Sequence, residues 1–162
     1  MDKISGLSIV CDRGGHLHNA LKLIEQMGQG PDHFLITWGP EFEGVKPLAN
    51  QLYRIPYLFS WFGKRRWLNP IKVTLSFLYS FALALFLRPR VVISLGATNV
   101  VFYCYWAKVF GAKVIHVECM NQVENPSLTG RALYPIADKV FVQWKGLEDK
   151  LGPKAEYAGW VL

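Results

Sequence analysis

The stretch that decides the fold is LSIVCDRGGH, residues 7–16. Its first five residues form an apolar candidate strand, Asp12 and Arg13 end that strand, and a helical pattern starts directly after Gly14-Gly15. Glycines at a strand-to-helix turn let backbone N–H groups approach a ligand, and the N-terminus of the following helix favours negative charge. The stretch therefore predicts the first βα unit of an α/β fold, with an anion site at its turn.

Short apolar runs alternate with longer helical patterns along the rest of the chain, as expected for a parallel sheet. The predicted strands are residues 7–11, 34–38, 52–55, 91–95, 113–118, 139–143 and 155–158. The predicted helices are residues 16–27, 70–87, 99–110, 127–137 and a short one near Leu147. This order predicts a single doubly wound, Rossmann-like α/β domain over residues 1–162, with helices on both faces of the sheet.

Composition limits the class of protein and its partners. The 162 residues are 51% hydrophobic and 19% charged, which excludes a disordered chain, and the net charge of +6 suggests an anionic partner. The three cysteines match no zinc motif and fit a reducing compartment, and the N-terminus lacks a secretory signal, so we expect a cytoplasmic location. The basic residues follow no nucleic-acid-binding motif, so we expect no nucleic acid partner. The sequence offers no cluster of metal ligands and no Asp-x-Asp motif, so we expect no metal or other cofactor.

His16 lies at the mouth of the first glycine turn, on the side of the sheet where open α/β folds bind their ligands. Its imidazole could remove a proton from an attacking hydroxyl, because the pKa of histidine lies near neutrality. It could equally cap the helix or bind a phosphate without any proton transfer.

Two further clusters follow predicted strands. Gly96, Ala97 and Thr98 would add backbone N–H groups beside the first turn if their strands are neighbours, although helix capping explains them equally well. Glu118 could orient a ligand hydroxyl or act as the base, or it could pair with Arg131 or cap a turn.

The long helix predicted over residues 70–87 contains VTLSFLYSFALALFL, a run without any charge. This run is shorter than the roughly 18 apolar residues of a spanning helix, and a buried core helix is the simplest interpretation. Its surroundings favour a peripheral contact in the membrane plane, because aromatic and basic residues alternate in YRIPYLFSWFGKRRW just upstream. The predicted membrane residues are Trp61, Phe62, Lys64, Arg65, Arg66, Trp67, Leu75, Phe77, Leu78 and Phe81.

A family resemblance rests on RGGHLHNALKL near the N-terminus and on the continuous stretch from VISLGATNVVFYCYWAKVFGAKVIHVECMNQVENPSLTGR to the C-terminus. These stretches resemble the bacterial exopolysaccharide and capsule proteins of the PssD type. They are also similar to the small membrane-anchoring subunit of the eukaryotic enzyme that adds the second N-acetylglucosamine to dolichol diphosphate. A more distant resemblance is to the N-terminal domain of the peptidoglycan N-acetylglucosaminyltransferase MurG.

The resemblance implies the N-terminal, acceptor-side half of a GT-B glycosyltransferase, inactive without a small partner that holds the UDP-sugar. The implied reaction is an inverting, metal-free transfer to a polyprenyl-diphosphate-linked sugar in exopolysaccharide or capsule synthesis, on the cytoplasmic face of the membrane. A non-catalytic membrane anchor that recruits the true transferase is the alternative.

The implied site residues fall into four groups, in addition to the membrane residues above. The catalytic candidates are His16 and, second, Glu118. The acceptor diphosphate would lie on Arg13, Gly14, Gly15, Gly96, Ala97 and Thr98. The acceptor loop would contain Asn121, Ser127, Thr129 and Arg131. The partner interface would contain Gln143, Trp144, Gly159, Trp160, Val161 and Leu162, because an apolar tail needs a covering surface.

Overall fold

A computed structural model describes residues 5–37, 49–57, 59–62 and 65–160. Seven parallel strands form one sheet in the order β3-β2-β1-β6-β7-β8-β9. These strands are β1 (Leu7–Cys11), β2 (His33–Thr37), β3 (Gln51–Ile55), β6 (Val91–Ser94), β7 (Lys113–Val117), β8 (Lys139–Val142) and β9 (Ala155–Tyr157). The seven predicted strands are confirmed to within one residue at the ends that the structure describes, and Trp38, the predicted end of the second, lies outside the described residues.

The strand order has a switch point at β1. The chain runs from β1 outward through β2 to β3, and then returns to the other side of β1 to build β6, β7, β8 and β9. Because β1 pairs directly with β6, the turns after these two strands lie side by side at the carboxyl edge of the sheet. This neighbourhood, predicted only conditionally from the sequence, is where doubly wound sheets bind ligands.

A small antiparallel hairpin that the sequence analysis did not predict precedes the long helix. Its strands are β4 (Phe59–Phe62) and β5 (Arg65–Leu68). Five of the predicted membrane residues lie on this hairpin, namely Trp61, Phe62, Arg65, Arg66 and Trp67, while Lys64 lies outside the described residues. The aromatic and basic stretch is therefore a two-stranded element in front of a helix.

The helices are α1 (Gly15–Met27), α2 (Pro70–Leu87), α3 (Val101–Val109), α4 (Leu128–Leu133) and α5 (Gly146–Leu151). The predicted cap of α2 is confirmed, since Asn69 Oδ1 accepts a hydrogen bond from Lys72 N at 3.1 Å and Pro70 is the first helical residue. The predicted helix over residues 99–110 is split into a 3-10 turn, Thr98–Val100, and α3. The helix predicted over residues 127–137 is shorter, because the chain turns away after Leu133.

The two faces of the sheet bury separate apolar clusters. On one face α1 contributes Leu17, Ala20 and Ile24 to a cluster with β1, β2 and the end of β6. On the other face α2 and α3 cover the same strands through side chains that include Leu83 and Tyr103. Helices on both faces confirm the doubly wound Rossmann-like α/β fold.

Helix α2 shows an inverted distribution of polarity. Its buried stripe is Ser76, Ser80, Leu83 and Ala84, at the helical spacing i, i+4, i+7 and i+8. Its solvent side carries apolar side chains that are 37–79% exposed, namely Ile71, Leu75, Phe77, Leu78, Tyr79, Phe81, Leu85 and Phe86. The small buried residues let α2 pack closely on the domain, while its large apolar residues point outward.

Candidate functional site

The first glycine turn lies at the carboxyl end of β1 and forms the start of α1. Gly14 has φ +67° and is the N-cap of α1, and both Gly14 and Gly15 are exposed. Within the described part of the chain no side chain caps this helix end, and its first turn contains no acidic residue. The amide groups of the first turn of α1 are thus available to an anion in front of the sheet.

The second glycine turn, after β6, is shaped by its contact with His16. Gly96 has φ +99°, and a Cβ at this position would lie 2.8 Å from both Nδ1 and Cε1 of the imidazole ring. Ala97 also has a positive φ, +65°, which is uncommon for a residue with a side chain. Thr98 then begins the 3-10 turn that leads into α3. Glycine at position 96 is required both by the backbone and by the approach of the ring.

His16 is held in a defined tautomer by the second turn. Its Nδ1 lies 2.8 Å from the carbonyl oxygen of Leu95. Since a carbonyl can only accept, Nδ1 donates, and Nε2 is the nitrogen that can exchange a proton. A hydrogen bond with the Cys119 thiol is the largest influence on the pKa of His16, which it raises above 6.5, and it lowers the pKa of that thiol in turn. Burial, the next influence, opposes both shifts.

A chain of polar side chains ties three strand ends together behind this ring. Asp12 Oδ2 accepts from Asn99 Nδ2 at 3.2 Å, and the same nitrogen lies 3.5 Å from Thr37 Oγ1. Asp12 Oδ1 accepts from the backbone N–H of Arg13 at 2.8 Å. The carboxylate thus fixes the start of the glycine turn to the ends of β2 and β6, and it raises the pKa of His16 further.

Glu118 is built into the structure at the end of β7 and is 1% exposed. Its Oε1 accepts from Cys119 N at 3.0 Å and its Oε2 accepts from Ser127 N at 3.1 Å. Burial is the largest single influence and raises the pKa of this carboxyl. His116 and the hydrogen bonds from Ser127 and Cys119 lower the pKa and together outweigh burial, so it lies below its ordinary value of 4.5. Gly130 makes room for the carboxylate, because a Cβ there would lie 2.2 Å from Oε2.

The predicted acceptor loop divides into structural and exposed residues. Ser127 is the N-cap of α4 and accepts from Gly130 N at 2.9 Å, and Thr129 is buried in that helix. Asn121 is exposed next to the Cys119 loop. Arg131 lines a cavity of about 480 Å³ together with residues that include Tyr134 and Lys150, and His16 is not among the residues that line it.

The predicted membrane residues of α2 all lie on its outer side. Leu75 and Leu78 are more than half exposed, while Phe77 and Phe81 are partly covered by aromatic rings of α3. By length and composition α2 could cross a membrane, since its 18 residues have a mean hydropathy of 1.7 and only 22% of them are buried. The uncharged run of residues 73–87 is shorter than the helix because it excludes the first helical turn, residues 70–72.

The predicted partner residues lie around an apolar groove on the α1 face of β8. Gln143 is buried and donates from Nε2 to the carbonyl of Glu118 at 2.9 Å. Trp144 donates from Nε1 to Met120 O at 2.6 Å and packs against Trp160, with ring centroids 5.1 Å apart. Gly159 and Trp160 line this groove together with Leu23 and Phe141, whereas residues 161–162 lie outside the described residues.

Sequence reasoning missed four contributors to the site: Asp12, Thr37, Cys119 and Gly130. Thr37 ends β2, and Asp12 and Cys119 follow β1 and β7 at the carboxyl edge of the sheet. Gly130 lies in α4, the helix that follows the loop after β7. Their position along the chain was visible, but their partners lie far away in sequence, and only the strand order brings them together.

The fold and the site together define a class of protein. A doubly wound, Rossmann-like domain with paired glycine turns and a histidine at its switch point belongs to the class of α/β proteins that bind their ligands at this edge of the sheet. The crystal structure of MurG from Acinetobacter baumannii superimposes with a TM-score of 0.67 at 21% sequence identity, over 86% of this chain. The chain spans 42% of that longer protein, so the likeness concerns the fold of one half.

The family follows from the sequence comparisons. The model of the family "Oligosaccharide biosynthesis protein Alg14 like" matches residues 63–161. The UDP-N-acetylglucosamine transferase subunit ALG14 of Rattus norvegicus is 30% identical, over 97% of this chain and 83% of the rat protein. The subunits of the same name from Candida albicans and Homo sapiens are each 26% identical, over 96% and 95% of this chain and 78% and 82% of their own lengths. The chain belongs to the Alg14-like oligosaccharide biosynthesis family.

Proposed function

We propose that the chain is the acceptor-binding and membrane-docking subunit of a two-component glycosyltransferase that is inactive without its partner. The partner would hold a UDP-sugar, and the acceptor would be a polyprenyl-diphosphate-linked sugar. The observation that carries the proposal is His16, held by Leu95 between two glycine turns at the switch point of the sheet. The names of the relatives favour UDP-N-acetylglucosamine as the donor. Exopolysaccharide or capsule as the product stays a prediction.

The two glycine turns support binding of the acceptor diphosphate. Gly14 and Gly15 are exposed at the uncapped start of α1, and the residues from Gly96 to Thr98 lie beside them. Backbone N–H groups and the helix dipole favour the negative charge of a diphosphate at this edge. Arg13, directly before the first turn, adds a positive charge.

His16 is the better candidate for the base. Because Nδ1 is bound to Leu95 O, the hydrogen bond with the Cys119 thiol falls on Nε2, and the acceptor hydroxyl would replace the thiol there. Nε2 would then accept the proton of that hydroxyl while its oxygen attacks the anomeric carbon of the donor sugar, and the bond from that carbon to UDP would break with inversion. Glu118 is less suited to proton transfer, because it is buried and both of its oxygens already accept backbone hydrogen bonds. In this proposal Glu118 positions the loop that carries Cys119 against His16.

The membrane would be met by α2 and by the hairpin in front of it. The outward apolar residues of α2 are poorly solvated by water. They follow, along the chain, an aromatic and basic stretch that is suited to the headgroup boundary. Rings of α2 pack on rings of α3 through Phe77 and Phe81. Because α2 is attached along its length to the domain, we propose that it lies in the plane of the cytoplasmic membrane surface.

The partner subunit would cover the apolar groove beside α1. Trp160 is 49% exposed and packs against Trp144 at a tilted angle, so part of the indole ring beside the groove faces solvent. The groove adjoins the carboxyl edge through Val117 and Gln143, next to Glu118. A partner bound there would lie beside the acceptor site and could present its donor sugar to it.

The test is co-expression with the candidate partner, purification of the complex, and an assay of sugar transfer from UDP-sugars to a polyprenyl diphosphate sugar. We expect transfer only when both chains are present. The His16→Ala variant should lose about 10²- to 10⁴-fold in kcat with an intact complex, as expected for loss of a general base. The matched control is His18→Ala, on the exposed side of the same helix turn, which should keep its activity.

Two results would change the conclusion. Robust transfer by this chain without a partner would contradict the two-component proposal. Unchanged transfer by the His16→Ala complex would favour the alternative, a non-catalytic anchor that brings the true transferase to the membrane.

A further inference from the structure

A cavity lined by basic side chains lies between the glycine turn and helix α2. It has a volume of about 370 Å³ and is lined by Arg13, Pro56, Tyr57 and Lys72. Pro56 and Tyr57 follow β3 at the same carboxyl edge as the glycine turn, and Lys72 lies in the first turn of α2. Three separate elements therefore converge on one cavity of the size that small ligands occupy, about 300–1,000 Å³.

The side chain of Arg13 includes a hydrogen-bond donor that is unsatisfied within the described part of the chain. Its Nε is buried and has no hydrogen-bond partner among the described residues. Its guanidinium group lies over the ring of Tyr57, 5.9 Å from the ring centroid, and so spans the carboxyl end of β2. A buried N–H of a charged group without an acceptor is costly, which makes an anionic acceptor in the cavity favourable.

Within the described part of the chain, no acidic side chain forms an ion pair with the basic groups that line the cavity. Among the ion pairs of the described residues none involves Arg13 or Lys72. Asp12, the neighbouring acid in the chain, directs its two oxygens to Arg13 N and to Asn99 Nδ2. The N-terminus of the 18-residue helix α2 adds a partial positive charge on the side of Lys72.

We infer that this cavity is a phosphate-binding subsite for a phosphorylated lipid, with Arg13 and Lys72 as ligands of the phosphate and Tyr57 as the platform for the guanidinium. The inference deepens the proposed function and rests on it. It assigns to the start of α2 a chemical role besides its apolar contact. The phosphate would be bound where the exposed apolar surface of α2 begins, so that its lipid chain continues along that surface.

The phosphate could come from the diphosphate of the acceptor or from the headgroup of an acidic phospholipid, and the test separates them. The purified full chain is titrated with inorganic pyrophosphate by calorimetry. In parallel it is bound to phosphatidylcholine vesicles with and without phosphatidylglycerol. The variants are Lys72→Gln, Arg13→Lys, which keeps the charge but changes the donor geometry, and the control Lys22→Gln, which removes a charge from the exposed side of α1.

We expect pyrophosphate to bind about tenfold more weakly to Lys72→Gln and Arg13→Lys, and to bind Lys22→Gln as it binds the unaltered chain. Losses confined to pyrophosphate support the subsite with the acceptor as its source. Losses confined to the phosphatidylglycerol-dependent part of vesicle binding support it with a headgroup as its source. Equal behaviour of Lys72→Gln and Lys22→Gln in both arms would overturn the inference, as would no binding of pyrophosphate and no effect of phosphatidylglycerol.

Failure of this inference and failure of the proposed function are distinguishable. If the complex transfers sugar but Lys72→Gln weakens neither pyrophosphate binding nor the phosphatidylglycerol-dependent part of vesicle binding, the subsite is wrong while the proposed function stands. If pyrophosphate binds with the expected losses but no complex transfers sugar, the subsite stands and the proposed function is wrong.

Discussion

Gly130→Ala is the substitution that most directly tests how Glu118 is built into the structure. A Cβ at this position would lie 2.2 Å from Glu118 Oε2 and 3.3 Å from its Cδ, although the backbone of Gly130 is ordinary helix. The carboxylate must therefore move, and it is buried with backbone N–H groups of Cys119 and Ser127 bound to its two oxygens. The effect on stability comes from the broken contacts and not from backbone strain.

The magnitude follows from the hydrogen bonds that the movement breaks. Hydrogen bonds to a charged group contribute about 1.5–3 kcal/mol each, whereas alanine in place of glycine inside a helix returns about 1 kcal/mol. We expect the free energy of unfolding to fall by about 2–4 kcal/mol. Gly146→Ala is the matched control, because a Cβ there meets nothing within 4 Å, and it should change the free energy of unfolding by about 1 kcal/mol or less.

The assay is urea unfolding of the full chain followed by circular dichroism, with the slope of the transition checked for each variant. A double-mutant cycle with Glu118→Ala isolates the contact, since Gly130→Ala should cost almost nothing once the carboxylate is absent. Equal stability of Gly130→Ala and Gly146→Ala would refute the reasoning. So would a loss that stays the same in the Glu118→Ala background.

Three further predictions concern the site and the helix. Because the pKa of His16 is raised, its ring stays protonated to higher pH, so kcat/KM of the complex should rise with pH through a midpoint above 6.5, and Cys119→Ala should lower that midpoint. The Cys119 thiol, whose pKa is lowered, should be alkylated by a maleimide well before Cys104, whose pKa burial raises to about 12, as mass spectrometry of timed samples would show. Leu78→Ser should weaken binding to vesicles without lowering the free energy of unfolding, while Leu128→Ser, at a leucine outside α2 that is even more exposed (76% against 55%), should change neither.

The sheet could be predicted from the sequence because its strands are short, fully buried apolar runs. All five residues of β1 are buried, and such a run between polar turns has few alternatives in a parallel sheet. The hairpin of β4 and β5 was not predicted, although aromatic residues recur in both of its strands, a composition that also indicates paired strands. The basic residues of this stretch were interpreted as a surface patch. Charge alone does not indicate whether a segment forms a helix, a strand or a loop.

The candidate site could be predicted only in its local parts. The glycine turns and His16 were visible because each belongs to one continuous motif. The contact of His16 with Cys119, and that of Glu118 with Ser127, depend on the strand order and on the path of the loop after β7. Such contacts carry no periodic signal in a single sequence, and the burial of Glu118, which decides between a base and a positioning residue, is likewise a property of the folded loop.

The inverted polarity of α2 argues for a non-aqueous environment more strongly than its composition does. If α2 were an ordinary surface helix, its serines would face water and its leucines and phenylalanines would face the sheet, since burying a large apolar side chain contributes about 1.5–3 kcal/mol. The structure has the reverse arrangement, with Ser76 and Ser80 buried and Leu75, Leu78 and Phe86 outward. Small residues at a helix contact and large apolar residues outside are typical of helices in lipid, where the outside is not water. In such an environment the start of α2, and with it Lys72, would lie at the boundary where a lipid phosphate is found.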